Sequence, residues 1–246
     1  MLDFIGTTIS IKDSDIVKDI SFTAKHGAIT VLLGKNGSGK STLLSALGGS
    51  LRYKGEIFLQ GQSLSSLSAP ERARKIALLP QILPQTGMSV EELCILGRNP
   101  HIGTLGFLSA YDREVIDSAL KQARVSELRH RAVSTLSGGE RQRAFIAMML
   151  SQQAELLVMD EPTTFMDTAA RRELLELCSE LKSCGKTLLL VLHDLSEAVR
   201  LADHIVIMES GRVVFKGSRN TCLAEGAIER AFDVRRCQDG EDIFFI

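Results

Sequence analysis

Between the apolar, β-branched run Ile29–Leu33 and a helix-like segment from about Ser41 to Leu47 lies Gly34-Lys35-Asn36-Gly37-Ser38-Gly39-Lys40-Ser41-Thr42. It fits the pattern G-x-x-x-x-G-K-[ST], and Gly48-Gly49 stops the helix that follows. Strand, glycine-rich loop and helix in that order call for an α/β core. The glycines permit positive φ and close backbone approach, so successive N–H groups can point inward at phosphate oxygens. The helix start adds its positive dipole end. Lys40 can reach the β- and γ-phosphates of a nucleotide, and the Ser41 hydroxyl can ligate magnesium. A chance glycine turn is the competing reading, and the strand before it and helix after it argue against chance.

The rest of the chain supplies partners for that strand. Ile76–Leu79, Glu155–Met159, Thr187–Leu192 and His204–Met208 are short apolar runs separated by polar or helical sequence. Runs of this kind suit parallel strands buried on both faces. Leu174, Leu177, Cys178 and Leu181 have helical spacing between Asp167 and Cys184, with Gly185 as a stop. Residues 1–33 and Gly55–Leu59 read as short strands without helices between them, which predicts an antiparallel layer. From about Ser89 to Val133 the sequence reads as several helices, broken by Gly97, Pro100, Gly103 and Gly106. Counted with the helix after Leu136, this block spans about 89–150 and reads as a helical subdomain inserted in a single domain of residues 1–246.

Composition narrows the class. The formal net charge is −1, so no global basic field points to nucleic acid. No apolar run approaches the roughly 20 residues that span a bilayer. Met1-Leu-Asp-Phe-Ile lacks the basic region and apolar stretch of a signal peptide. A cytosolic location is the expectation. Cys94, Cys178, Cys184, Cys222 and Cys237 include no C-x-x-C pair, which predicts reduced, partly buried thiols and no metal site.

Two further stretches carry chemistry. Leu156-Leu-Val-Met159 ends in Asp160-Glu161, with Pro162 closing the run. A strand-end Asp beside a phosphate loop can bind magnesium, and Glu161 can deprotonate a water aimed at the γ-phosphate. Alone, the pair reads equally well as solvated carboxylates. Leu136-Ser137-Gly138-Gly139-Glu140 precedes the apolar helix Ala144–Leu150. It offers a hydroxyl and bare N–H groups at a helix start, a second anion site. By physics alone Ser137 and Glu140 read as an ordinary capping box.

Taken together, these three stretches resemble the ATP-binding cassette family over nearly the whole chain. The resemblance implies a phosphate-loop nucleoside triphosphatase core with an N-terminal antiparallel β layer and the inserted helical subdomain. It implies ATP and Mg²⁺, with Ser41, Gln81 and Asp160 at the metal, and Glu161, Gln81 and His193 as catalytic residues. In that family two copies sandwich ATP. Lys40 and Ser41 of one copy would face Ser137, Gly138, Gly139 and Glu140 of the other, and Asp167 would cross the interface. One departure concerns adenine: the usual aromatic position aligns with Ile11, and Phe4 and Phe22 stand out of place. Gly97-Arg98-Asn99-Pro100-His101 resembles the G-R-x-P-H stretch of importers for iron–siderophore, haem and cobalamin, although a helix stop and turn would look the same. The implied function is the ATPase subunit of such an importer, on the cytoplasmic face of the membrane. Its implied partners are a second copy, membrane permease subunits and, indirectly, an extracytoplasmic solute-binding protein, with no nucleic acid. Arg98 and His101 are expected on an exposed docking face. A cytosolic assembly ATPase, for example of iron–sulfur clusters, stays open as the alternative. A nucleotide kinase is disfavoured by Leu136–Glu140.

Overall fold

The computed structural model describes residues 1–102, 106–164, 166–240 and 242–246. The helix break expected at Gly103 lies outside the described residues. The chain opens with β1 (Leu2–Ile11) and β2 (Ser14–Ala24), an antiparallel pair. β3 (Ile29–Leu33) leads through the phosphate loop into α1 (Lys40–Leu47). β4 (Lys54–Leu59), β5 (Gln62–Ser63) and α2 (Ala69–Lys75) come next, then β6 (Ile76–Leu79). The helical block holds α3 (Val90–Arg98), α4 (Ala110–Gln122) and α5 (Gly138–Ser151). β7 (Leu156–Asp160), α6 (Thr168–Ser183), β8 (Thr187–Val191), α7 (Leu195–Leu201) and β9 (His204–Glu209) complete the alternation. The chain closes with β10 (Arg212–Ser218), α8 (Arg219–Glu225), α9 (Ala227–Phe232) and the hairpin β11 (Arg236–Asp239) and β12 (Asp242–Phe245).

Two sheets organise the core. The antiparallel sheet has the order β2-β1-β4-β5. The second has the order β10-β9-β3-β8-β7-β6, parallel throughout except for β10. Every residue of β3, β7 and β8 is buried, as continuous apolar strands covered on both faces require. In β8 the faces divide cleanly. Leu188 and Leu190 pack with the helical block and α6, while Leu189 and Val191 pack with α1 and the antiparallel sheet. α1 therefore fills the space between the two sheets through Leu43, Leu44 and Leu47.

Two expectations need correction. The antiparallel layer expected over residues 1–33 ends with β2 at Ala24, and Ile29–Leu33, read as a buried strand, pairs in parallel with β8 and β9. Its residues are apolar on both faces, so only an interior position satisfies it. Gly97 does not break a helix but lies inside α3. A Cβ there would stand 2.3 Å from the Met148 carbonyl oxygen, so the missing side chain lets α3 lie directly on α5. All five cysteines are free thiols, with Cys94, Cys178 and Cys222 buried and Cys184 and Cys237 exposed.

Candidate active site

β3, β8 and β7 lie side by side, and their C-terminal ends form one edge. That edge is where parallel α/β sheets bind ligands. The loop after β3 curls round the start of α1. Gly39 is the N-cap of α1 at φ 100°, a left-handed conformation that favours glycine. A Cβ on it would also approach the Ile16 carbonyl to 3.1 Å. Ser38 N donates to the Lys35 carbonyl at 3.1 Å, closing the loop on itself.

Lys40 is buried, and its Nζ donates to the carbonyls of Gly34 at 2.7 Å and Lys35 at 3.3 Å. Burial pushes the ammonium below its ordinary pKa, while Glu161 and then Asp160 pull it back up. A cation held in this way gains from an anion arriving in the loop. The Ser38 hydroxyl is buried with no hydrogen-bond partner among the described residues.

Asp160 ends β7, and Glu161 follows it. Burial raises the Asp160 carboxyl, and Glu161 raises it further, while the Ser41 hydroxyl, Lys40 and His193 lower it. Its Oδ1 is buried with no hydrogen-bond partner among the described residues. A buried carboxylate oxygen beside a hydroxyl, with nothing donating to it, fits a hard divalent cation such as magnesium. Glu161 has φ 51°, a left-handed conformation that costs a non-glycine residue on the order of 1–3 kcal/mol. Its N–H donates to the Val191 carbonyl at 3.1 Å, tying it to the end of β8. Its carboxylate takes two partners. His193 Nε2 lies 2.6 Å from Oε1, and the Gln81 amide donates to Oε2.

Lys40, Ser41, Gln81, Glu161 and His193 line one cleft of about 390 Å³, and Asp160 adjoins it through Ser41 and Lys40. Asn36, Gly37, Gly39, Lys40, Ser41 and Thr42 form one wall. Gln81, Glu161 and His193 stand with them although they are far apart in sequence. Ile16 of β2 also lines the cleft, whereas Ile11, half-exposed at the end of β1, does not. Phe4 and Phe22 are buried and stack on each other, with ring centroids 4.6 Å apart. No sequence signal distinguishes Ile16 from Ile11. The strand register at the β1–β2 turn makes the choice.

Ser137–Glu140 do not line this cleft. They form the predicted capping box of α5. Ser137 Oγ accepts from Glu140 N at 3.3 Å, and Glu140 Oε2 accepts from Ser137 N at 2.8 Å. Gly138 and Gly139 form the first turn, with Ala170 Cβ 3.7 Å from a Cβ built on Gly139. Asp167 is the N-cap of α6 and accepts from Ala170 N at 2.8 Å.

Arg98 is not on an exposed face. It is 2% exposed, because its guanidinium satisfies three acceptors inside the helical block. Nε donates to Asp112 at 2.9 Å, and Nη1 donates to the Ser151 carbonyl at 2.7 Å and to Gln153 Oε1 at 2.8 Å. His101 is exposed as expected.

The family model described as ABC transporter matches residues 17–164. The iron(3+)-hydroxamate import ATP-binding protein FhuC of Bacillus subtilis is 37% identical over 226 residues, covering 90% of this chain and 84% of that protein. The ferric enterobactin transport ATP-binding protein FepC of Escherichia coli is 36% identical, covering 89% and 82%. The hemin import ATP-binding protein HmuV of Pseudomonas putida is 35% identical, covering 95% and 93%. Among solved structures, cbiO1 of Clostridium perfringens, part of the ABC transporter complex cbiONQ, superposes with a TM-score of 0.80 at 26% identity. It covers 93% of this chain and 92% of its own.

Proposed function

The chain belongs to the ATP-binding cassette transporter family, and on that footing we propose that it is the ATP-hydrolysing subunit that powers import of a metal chelate through separate membrane subunits. The solute belongs to the iron–siderophore, haem or cobalamin class. The observation that carries the catalytic reading is the convergence of Lys40, Ser41, Gln81, Asp160, Glu161 and His193 on one sheet edge. The solute class is supported by the relatives, whose names specify siderophore and hemin import.

In this reading the loop N–H groups of residues 34–42 and the N-terminus of α1 hold the ATP phosphates. Lys40 exchanges the carbonyls of Gly34 and Lys35 for phosphate oxygens. Glu161 takes the proton of the attacking water, and His193 and Gln81 orient the groups around the γ-phosphate. Asp160, Ser41 and Gln81 would hold magnesium, which when bound would spread the charge of the phosphates. Ile16 gives the adenine an apolar contact.

The remaining half of the site comes from a second copy. Ser137, Gly138, Gly139 and Glu140 lie away from the cleft within one chain, and a helix start with bare glycine N–H groups suits a γ-phosphate presented from outside. Asp167 stands at that interface. The block of about 89–150 acts as the helical subdomain that moves with ATP. Ile82, directly after Gln81, and Phe107 are each 82% exposed and offer apolar contact to the permease. Among the described residues no helix is long and apolar enough to cross a membrane. The import relatives support a place at the cytoplasmic face, working through membrane partners. An extracytoplasmic solute-binding protein delivers the solute to the permease.

The test is co-purification followed by reconstituted uptake of radiolabelled ferric siderophore, haem and cobalamin. ATP-dependent uptake of one class with a membrane protein bound is the expected result. Purification with a soluble scaffold complex and no membrane protein would favour an assembly ATPase instead.

A further inference from the structure

Gln152 follows α5 directly, at the end opposite the Ser137 cap. α5 has 14 residues, so about 21 Å separates its ends at 1.5 Å per residue. At the far end the Gln152 amide donates to the carbonyl of Ala73 and, at 2.8 Å, to that of Ile76. Ala73 is in the last turn of α2, and Ile76 is the first residue of β6. Helix ends leave carbonyls without intrahelical donors, and one neutral side chain with two N–H groups serves both acceptors here.

Two more bonds close the same joint. His101 Nε2 donates to the Gln152 carbonyl at 2.8 Å, and Arg74 Nε donates to the Pro100 carbonyl at 2.6 Å. Arg98, by contrast, ties only α3, α4 and the end of α5, all within the helical block. The turn Asn99–His101 and Gln152 thus face α2 and β6, while Gly97 and Arg98 make the block behind them rigid. β6 ends at Leu79, two residues before Gln81, whose amide reaches Glu161. A stiff strand and a stiff helix therefore meet at one side chain. One leads to the glutamate and the other to Ser137.

We propose that Gln152 is a positioning residue for ATP hydrolysis, its amide setting the angle at which α5 leaves the strand that carries Gln81. This rests on the composite-site reading, in which Ser137 acts on the nucleotide of a second copy. Gln152 touches no part of the phosphate cleft, so it affects turnover and leaves single-chain ATP binding alone.

The informative variant is Gln152→Glu, which keeps the shape but turns a carboxylate toward two carbonyl oxygens. Gln152→Ala removes the donors without adding charge. Both are compared with the parent full-length chain for kcat and KM of ATP hydrolysis, affinity for a fluorescent ATP analogue, and thermal midpoint. Ser137→Arg runs beside them as a control. The expected result is a kcat at least tenfold lower for Gln152→Glu and reduced for Gln152→Ala. KM and analogue affinity should stay within twofold at assay temperatures well below each midpoint. Parent-like kcat for Gln152→Glu with an inactive Ser137→Arg would overturn this proposal and leave the composite site standing. Loss of analogue affinity, or a kcat loss matched by the unfolded fraction, would also overturn it. Parent-like hydrolysis by Ser137→Arg would sink the composite-site reading itself.

Discussion

Glu161 carries a left-handed backbone that its side chain does not favour, held by a bond from its N–H to Val191. That conformation is what turns a strand end into a turn while keeping the carboxylate between Gln81 and His193. Replacing Glu161 with Gln keeps the shape and removes the carboxylate proposed as the base. Hydrolysis should fall by about 10²–10⁴-fold, the usual size of a general-base loss, with ATP binding retained. Phosphate release and equilibrium titration with a fluorescent ATP analogue measure the two separately, and near-parent turnover would remove Glu161 from the base role. The adenine contact is also decided by single residues. Phe4 and Phe22 are spent on each other in the core, so neither is free to stack on a base. Aromatic–base stacking is worth roughly 1–3 kcal/mol in nucleic-acid binders. Ile16→Tyr, at the position that lines the cleft, should therefore tighten ATP binding several-fold or more, read by titration with a fluorescent ATP analogue. Unchanged affinity would mean that the side chain at this position does not meet the base.

Among the elements, the helical block shows how a short motif can be structural. In Gly97-Arg98 the glycine lets α3 touch the backbone of α5, and the arginine then reaches across to bond the carbonyl of Ser151. Asp112, the partner on α4, is held below the ordinary carboxylate range first by its hydrogen bond from Ser109. Burial opposes this, and Arg98 adds to it. Removing one partner of a buried pair leaves an uncompensated charge, so Arg98→Ala should cost about 3–5 kcal/mol of stability. Arg98→Lys should fall between, because an ammonium cannot match the fork of a guanidinium. Urea unfolding monitored by circular dichroism gives both values. A cost under about 1 kcal/mol for Arg98→Ala, as surface pairs show, would mean the bonds contribute little.

For the whole molecule, the question is how a nucleotide cleft on one edge speaks to a membrane partner elsewhere. The apolar side chains of Ile82 and Phe107 are exposed, one beside Gln81 and one in the helical block, and neither lies in the cleft. Ile82→Asp and Phe107→Asp should therefore lower reconstituted uptake severalfold while basal ATP hydrolysis by the isolated chain stays within about twofold, since exposed positions away from special features are near neutral for stability. Parent-like uptake by the double variant would place permease docking on another face. His101, the other exposed residue once expected there, is engaged with Gln152, so its substitution would confound docking with positioning.

Much of this protein was legible in order along the chain. The phosphate loop, the strand-end carboxylates and the capping box are local patterns, and each forms where its residues predict because neighbours in sequence supply the geometry. The buried parallel strands were legible too, since apolarity on both faces admits only an interior place. Burial is not local, and no single segment encodes it. Arg98 looks like a surface charge in sequence, and only the meeting of α3, α4 and α5 makes it the largest fully buried side chain among the described residues. The convergence of Gln81, Glu161 and His193, the choice of Ile16 over Ile11, and the bond from Gln152 to the start of β6 depend on sheet order and strand register. Those are long-range contacts, set by how the elements share one core and not by any segment alone.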